Sequence, residues 1–253
     1  KGEYGMGFRE SVDQLVQPIA RNYGPTSVSA RELFLSYNSV MTLAYEGFSR
    51  TLLDIKRHVI NALGWQLGPE NLGSKWPKTT LGCLNDGVEL TLDEVFSLRA
   101  VVDDYDGRIL CLSEEERRIP IPSLQVVRFA CRTLERRVQS TEIRLLGRVL
   151  TSDEPPDSHL RLVDEVMSGF GHGRLRDYYN EGLAPKGRTI DAYYRAPHEE
   201  MTLVADTKLS PALRDVVCDF QTAVDAALPG KYTWFDSESW HMTVRALIER
   251  AVT

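Results

Sequence analysis

The sequence predicts an α/β chain of the α+β kind: two pseudo-symmetric β-α-β lobes with antiparallel sheets around a central groove, plus an inserted segment. Three observations carry that reading. Short apolar runs alternate with amphipathic stretches along the chain. A Met-Thr-Leu run occurs twice, as Met41-Thr42-Leu43-Ala44 and as Met201-Thr202-Leu203-Val204. Each copy is followed by an amphipathic stretch of similar length, a loop and a tryptophan, Trp76 or Trp240.

Residues 1–32 read as an N-terminal helical extension. Val12, Leu15, Val16, Ile19 and Ala20 recur at helical spacing over 9–22, and 23–30 reads as a loop rich in Gly, Pro, Ser and Thr. The first lobe is expected over 33–150. Val40–Tyr45 is a strand, Ser49 an N-cap, and Leu52, Leu53, Ile55, Val59, Ile60 and Leu63 one face of a helix stopped by Gly64. A Gly/Pro-rich loop follows over 68–77, then a strand over 79–84. A helix over 91–102 opens on Thr91 with Glu94 three positions on, a capping box. The runs 119–131 and 142–149 read as strands able to pair antiparallel. Thr151-Ser152-Asp153-Glu154-Pro155-Pro156-Asp157-Ser158 is the best linker in the chain, opening a 151–197 linker or insertion with a helix over 160–167. The second lobe, 198–253, holds a strand over 201–205, a helix over 211–228 with Pro211 in its first turn, a Pro229-Gly230 stop and a final strand over 240–248.

Composition narrows the functional classes. A chain of 253 residues that is 42% hydrophobic buries a substantial core. A net charge of -6 argues against broad binding to duplex DNA or to anionic membranes, though not against a local phosphate pocket. No apolar run approaches the ~20 residues of a membrane helix. Cys83, Cys111, Cys131 and Cys218 are widely spaced, so buried free thiols in a reducing, intracellular compartment are expected, and no zinc spacing is present. That compartment is cytoplasmic, or organellar if a targeting peptide has been removed. The first residue is Lys1 rather than Met, the pattern of a piece of a longer chain, whose other domains would be further partners.

The chemistry gathers where the two units end. Side chains two apart in a strand share a face, so His241 and Thr243 project together, with Arg245 next in phase, while Met242 and Val244 face the core. Lys78 and Thr80 project together in the first unit, opposite Thr79 and Leu81. Met41 to Lys78 spans 37 positions and Met201 to His241 spans 40, so a pseudo-twofold arrangement brings both motifs to one cleft. A cleft floored by His, Thr, Lys and Thr suits an anion with a transferable proton: histidine exchanges protons near neutrality, and hydroxyl and ammonium donors bind phosphate oxygens.

With those residues in view, the chain resembles the two-histidine (2H) phosphoesterase superfamily, whose lobes each give one His-x-Thr motif to a groove. Trp240-His241-Met242-Thr243-Val244-Arg245 is similar to the second motif. Trp76-Pro77-Lys78-Thr79-Thr80-Leu81-Gly82 is similar to the first, with Lys78 where the family usually has histidine. The motifs stand 163 positions apart, which makes 150–197 an insertion, unless the chain carries one lobe from each of two domains. The resemblance implies a metal-independent phosphodiesterase without cofactor, acting on a cyclic or 2′-linked phosphodiester of a phosphorylated small molecule, nucleotide or RNA end. His241 would be general acid or base, Thr243 and Thr80 would hold the phosphate, Lys78 and Arg245 would stabilise charge, and Trp240 and Trp76 would contact substrate. The alternatives are a phosphate- or nucleotide-binding module without turnover, and an interaction domain that keeps the motif for packing.

Other groups compete less well. Asp103-Asp104-Tyr105-Asp106 has the acidity for a cation, though such a run is more often a solvated loop. Gly169-Phe170-Gly171-His172-Gly173-Arg174 has the glycines of a phosphate loop without the preceding strand. Arg132, Arg136 and Arg137 either line the groove or sit on a solvated strand edge. Tyr178, Tyr179, Tyr193 and Tyr194 lie among arginines, as base-stacking or ordinary packing residues. His58 reads as structural, and His159 and His198 as exposed.

Overall fold

The helix α1 (Met6–Arg21) leads into β1 (Thr26–Ser36), β2 (Val40–Tyr45), α2 (Arg50–Leu63), β3 (Lys78–Leu84), α3 (Leu92–Cys111), α4 (Glu114–Arg117), β4 (Arg118–Ile121), β5 (Ser123–Phe129) and β6 (Arg137–Arg144). Then come α5 (Asp157–Ser168), α6 (Leu175–Tyr178), α7 (Ile190–Tyr194), β7 (Glu200–Asp206), α8 (Pro211–Ala227), β8 (Tyr232–Trp234) and β9 (His241–Ile248). This computed structural model describes residues 6–36, 39–64, 67, 70, 75–183, 190–195 and 199–248. The strands form a nine-stranded sheet in the order β4-β1-β2-β3-β9-β7-β5-β6, with β8 beside β3, and every strand pairing in it is antiparallel.

The caps read in the sequence are made. Ser49 Oγ accepts from Leu52 N–H at 3.2 Å and opens α2. The Thr91–Glu94 box opens α3, which runs nine residues past the expected end at 102 before Leu112 closes it. Ser210 caps α8 with Pro211 in its first turn. The helices bury their apolar stripes on one side of the sheet: α1 against β5 and β6, α2 against β9, α3 against β1. Leu43, Leu203 and Met242 lie on this core face, all of them fully buried.

Four expectations are corrected. The stretch read as a loop over 23–30 contains half of β1, where Thr26, Val28 and Ala30 are buried and alternate with more open Ser27 and Ser29. Small polar residues hid a period-two pattern. The last strand of the middle region is 137–144, not 142–149, because β6 is a sheet edge with little buried side to mark it. The boundary at 150 does not divide the sheet: β5 pairs with β7, so 123–144 lies with the C-terminal strands. The 151–158 linker is pinned, since Asp153 accepts from Thr26 Oγ1 at 2.5 Å and from Thr51 N–H at 2.7 Å over the start of α2.

The inserted segment packs back on β1. Phe170 and Tyr178 set their rings against Phe34 at 5.8 and 6.1 Å, and Tyr178 donates to the Leu35 carbonyl at 2.7 Å. Arg99 lies over the Phe170 ring at 4.8 Å, and His172 meets Asp103 at 2.7 Å. The Gly169–Arg174 loop is therefore fastened to α3, and the Asp103–Asp106 run supplies its anchors. His159 is not a free surface group either. Its Nδ1 accepts from Phe48 N–H and its Nε2 donates to the Lys75 carbonyl, tying α5 to both ends of the α2 region. His198 lies outside the described residues.

Candidate functional site

The two motifs meet at the seam of the sheet. β3 and β9 are neighbours, and their recorded pair is Thr79 with Met242. Antiparallel geometry carries that register one residue either way. Lys78 then lies beside Thr243 and Thr80 beside His241, at the ~4.5–5.5 Å Cβ spacing of directly opposed residues. Lys78, Thr80, His241 and Thr243 are all half-buried and share the face opposite Leu43 and Met242, while Thr79 and Met242 between them are fully buried. The alternation expected along both strands is what the structure has.

Each strand bulges just past its threonine, and β9 bulges a second time at Leu247. Thr42 pairs with Thr80 but Met41 with Gly82, which leaves Leu81 extra on β3. Val204 pairs with Thr243 but Leu203 with Arg245, which leaves Val244 extra on β9. A one-residue bulge reverses the facing of the residues that follow it, up to the next bulge. Arg245 therefore does not follow His241 and Thr243 onto the open face. It joins Leu203 on the core face, 4% exposed, and acts electrostatically on Lys56 of α2, which is ion-paired to Glu70 at 2.5 Å.

The register also corrects the repeat. Met41 pairs with Gly82, whereas Met201 pairs with Ile248, so the two Met-Thr-Leu runs occupy different positions. The positions that match are Ala44 opposite Lys78 and Asp206 opposite His241, 34 and 35 residues before their partners. The two Met-Thr-Leu runs are thus two residues out of phase with the strand register.

His241 is held by its own turn. Its Nδ1 lies 2.9 Å from the Ser239 carbonyl. A carbonyl only accepts, so Nδ1 carries a proton and the neutral ring keeps an unprotonated Nε2. Burial pushes the ring's proton affinity down to about 4; the Ser239 hydrogen bond raises it, the nearby Arg137 guanidinium lowers it, and Asp206 raises it. At neutral pH the ring is an uncharged base.

Lys78 is held differently. Its Nζ lies 4.0 Å from the centroid of the Trp76 ring, a cation–π contact that fixes the ammonium at the seam. Trp76 packs edge-on against Phe34 and is 5% exposed. Trp240 is also 5% exposed and lies in the main core, so neither indole offers the free face expected of a substrate-stacking group.

Beneath the seam, on the core face, a chain of hydroxyls replaces apolar packing. Tyr45 Oη and Thr79 Oγ1 are 2.6 Å apart, and Thr79 Oγ1 and Thr207 Oγ1 are 3.1 Å apart. Burial pushes the Tyr45 hydroxyl up to about 12, so it stays protonated. Over the open face, Tyr193 and Phe235 cover Val40 and Cys83 at one end of β3, with their rings 5.0 Å apart. Tyr194 donates to Glu135, while Tyr178 packs on β1 and donates to the Leu35 carbonyl.

Sequence reasoning missed Asp206 and Gln125 and left Arg137 undecided. Asp206 is the cross-strand partner of His241, Arg137 acts on its ring, and Gln125 bonds both of these. Arg137 Nη2 donates to Asp206 at 3.0 Å, Arg137 Nη1 to Gln125 Oε1 at 2.7 Å, and the Gln125 amide to Asp206. One signal was legible: a carboxylate ends the apolar run 201–205. Arg132 and Arg136 are engaged elsewhere, the first with Glu200 at 2.9 Å and the second with the Tyr194 carbonyl. Cys83 and Cys131 are buried free thiols, but Cys111 and Cys218 are exposed, which corrects the expectation of burial for those two.

Among the described residues no group of three or more His, Cys, Asp or Glu side chains is gathered as a metal site, and no helix is long and apolar enough to cross a membrane. A surface cleft of about 430 Å³ lies along α1, lined by Gln14, Gln17, Pro18, Arg21 and Asn22. No acid–base pair lines it. No family model, curated protein or solved structure matches the chain.

Proposed function

We propose that the chain is a metal-independent, phosphoesterase-like protein acting on a cyclic or 2′-linked phosphodiester at a nucleotide or RNA end. The observation that carries this reading is the Lys78–Thr80–His241–Thr243 quartet on the open face, with an unprotonated Nε2 on His241. Matched strand order supports a pseudo-twofold relation of two lobes: β4-β1-β2-β3 on one side of the seam and β9-β7-β5-β6 on the other, each with its bulge after the threonine.

In this reading the phosphate sits over the seam. Thr80 and Thr243 donate to its non-bridging oxygens, and the Lys78 ammonium offsets the charge that grows on them. His241 Nε2 takes the proton of the attacking water or hydroxyl as the P–O bond forms. The opposite P–O bond breaks, and its oxygen takes a proton from solvent, while Lys78, diagonally across the quartet, stays charged. An anion in the groove also raises the proton affinity of His241 toward neutrality.

A second reading, a phosphate-binding module without turnover, is favoured by the Lys78–Trp76 contact, which stabilises a cation and not an exchanging acid. One assay separates the two. The chain is given 2′,3′-cyclic nucleotides and short 2′,5′-linked oligonucleotides with chelator present, beside His241→Ala and Lys78→His. The enzyme reading expects turnover that is lost in the first variant and raised in the second. Equal rates for wild type and His241→Ala sink it. Phosphate binding that depends on Lys78, with no turnover, selects the module.

A further inference from the structure

The polar bridge beside His241 crosses three strands. Asp206 of β7 is the direct cross-strand partner of His241. Its carboxylate accepts from Arg137 of β6 and from Gln125 of β5. Arg137 is fixed in turn by Gln125 Oε1 and by the Leu134 carbonyl, 3.3 Å from its Nε, and Ser140 Oγ donates to the same Gln125 oxygen at 2.6 Å. The side chains of Arg137 and Asp206 are 23% and 30% exposed, so both are partly shielded by the network they form. The position of β2 that matches Asp206 is Ala44, opposite Lys78. The bridge thus stands beside the seam residue whose ring can change its charge.

We propose that Arg137 and Asp206 are positioning residues for His241, an ion pair whose two opposite charges together set how readily the ring accepts a proton. The inference rests on the catalytic reading of His241 for its purpose, but not for its measurement. The charges facing the ring are Asp206 from β7, Arg137 from β6 and, diagonally across the seam, Lys78 from β3. Gln125, Ser140, Thr80 and Thr243 are uncharged, and the 237–239 turn presents the Ser239 carbonyl. Removing Arg137 leaves Asp206 uncompensated beside the ring, so protonation becomes easier. Removing both charges restores the balance.

The test is the titration midpoint of the His241 ring, read by NMR on the whole chain without substrate. Arg137→Gln is expected to raise it by about one pH unit, Arg137→Lys to leave it near the wild-type value, and Arg137→Gln combined with Asp206→Asn to bring it back. Asp206→Asn alone is expected to lower it. A midpoint that stays put in Arg137→Gln, or a rise that persists in the double variant, overturns the proposal. Because the midpoint needs no turnover, a chain that hydrolyses nothing disproves the catalytic reading without touching this result. In an active chain, the acidic limb of kcat/KM moves with the midpoint.

Discussion

β3 and β9 run side by side through the centre of the sheet, share one register and bulge one residue past a threonine, yet they hold opposite kinds of chemistry. On β3 the seam residue is Lys78, its ammonium held over Trp76 and its cross-strand partner the fully buried Ala44. On β9 it is His241, hydrogen-bonded to its own turn and flanked by Asp206 and Arg137. An aromatic face suits a cation. A setting with one nearby charge of each sign suits a group whose charge changes. The strand register around the two seam residues is alike and the environments are not, which under the proposed function assigns fixed charge to β3 and proton exchange to β9.

Breaking the comparison on the β9 side is expected to have the largest effect. His241→Ala should lower kcat on a cyclic phosphodiester by roughly 10²–10⁴-fold, the range of a positioned acid–base group, with phosphate affinity little changed. Lys78→Ala should do the reverse in emphasis, weakening phosphate binding by about tenfold or more, with a smaller loss in kcat. Steady-state kinetics and a phosphate titration of both variants check the split. Matching losses in both variants and both measurements would mean that the two halves are not specialised.

The seam itself comes next. Thr79 is fully buried and bonds both Tyr45 and Thr207, so Thr79→Val leaves two buried hydroxyls short of a partner. A cost of about 1–3 kcal/mol is expected in denaturant unfolding. The same change in half-buried Thr80, on the open face, should cost less stability and more phosphate affinity.

Acid sensitivity is a smaller effect with a definite sign. The His241 ring has a folded proton affinity of about 4 against 6.5 for an ordinary histidine. The unfolded chain thus binds the extra proton between those values, and stability falls as pH drops from about 6.5 toward 4. Asp106 works the other way. Burial pushes its carboxyl up to about 7, with its Leu33 N–H hydrogen bond opposing, so its contribution to stability is lost as pH rises from the ordinary carboxylate range toward 7. His241→Gln should flatten the acid limb of a thermal-stability profile between pH 4 and 6.5. An unchanged limb would assign that limb to other groups.

Much of the frame was legible because its signals are local. Ser49, the Thr91–Glu94 box and Ser210-Pro211 announce α2, α3 and α8 within a few residues. The faces of Lys78–Thr80 and His241–Thr243 follow from a period of two over three residues. What stayed hidden needs long-range pairing. β1 carries serines at its open positions, and β6 is an edge with little buried side, so neither shows an apolar alternation. Asp206, Gln125 and Arg137 meet only because β5 lies between β6 and β7, an order that no local pattern encodes.

Arg245 offers the mildest test and the cleanest lesson. Read with an unbroken period of two, it belongs beside His241 and should bind the phosphate. The extra residue Val244 turns it to the core face beside Leu203, within reach of Lys56. Arg245→Met keeps much of the side-chain volume and removes the charge. Phosphate affinity and kcat are expected to stay within about twofold of wild type, and the change should appear in unfolding and in the Lys56–Glu70 pair, whose lysine is pushed below its ordinary range mainly by burial and partly by Arg245. A tenfold loss of phosphate binding at unchanged stability would put the guanidinium back on the open face and remove the bulge from this account. Arg137→Gln makes the paired control, since that guanidinium reaches the open face from three strands away while Arg245, on the same strand as His241, does not.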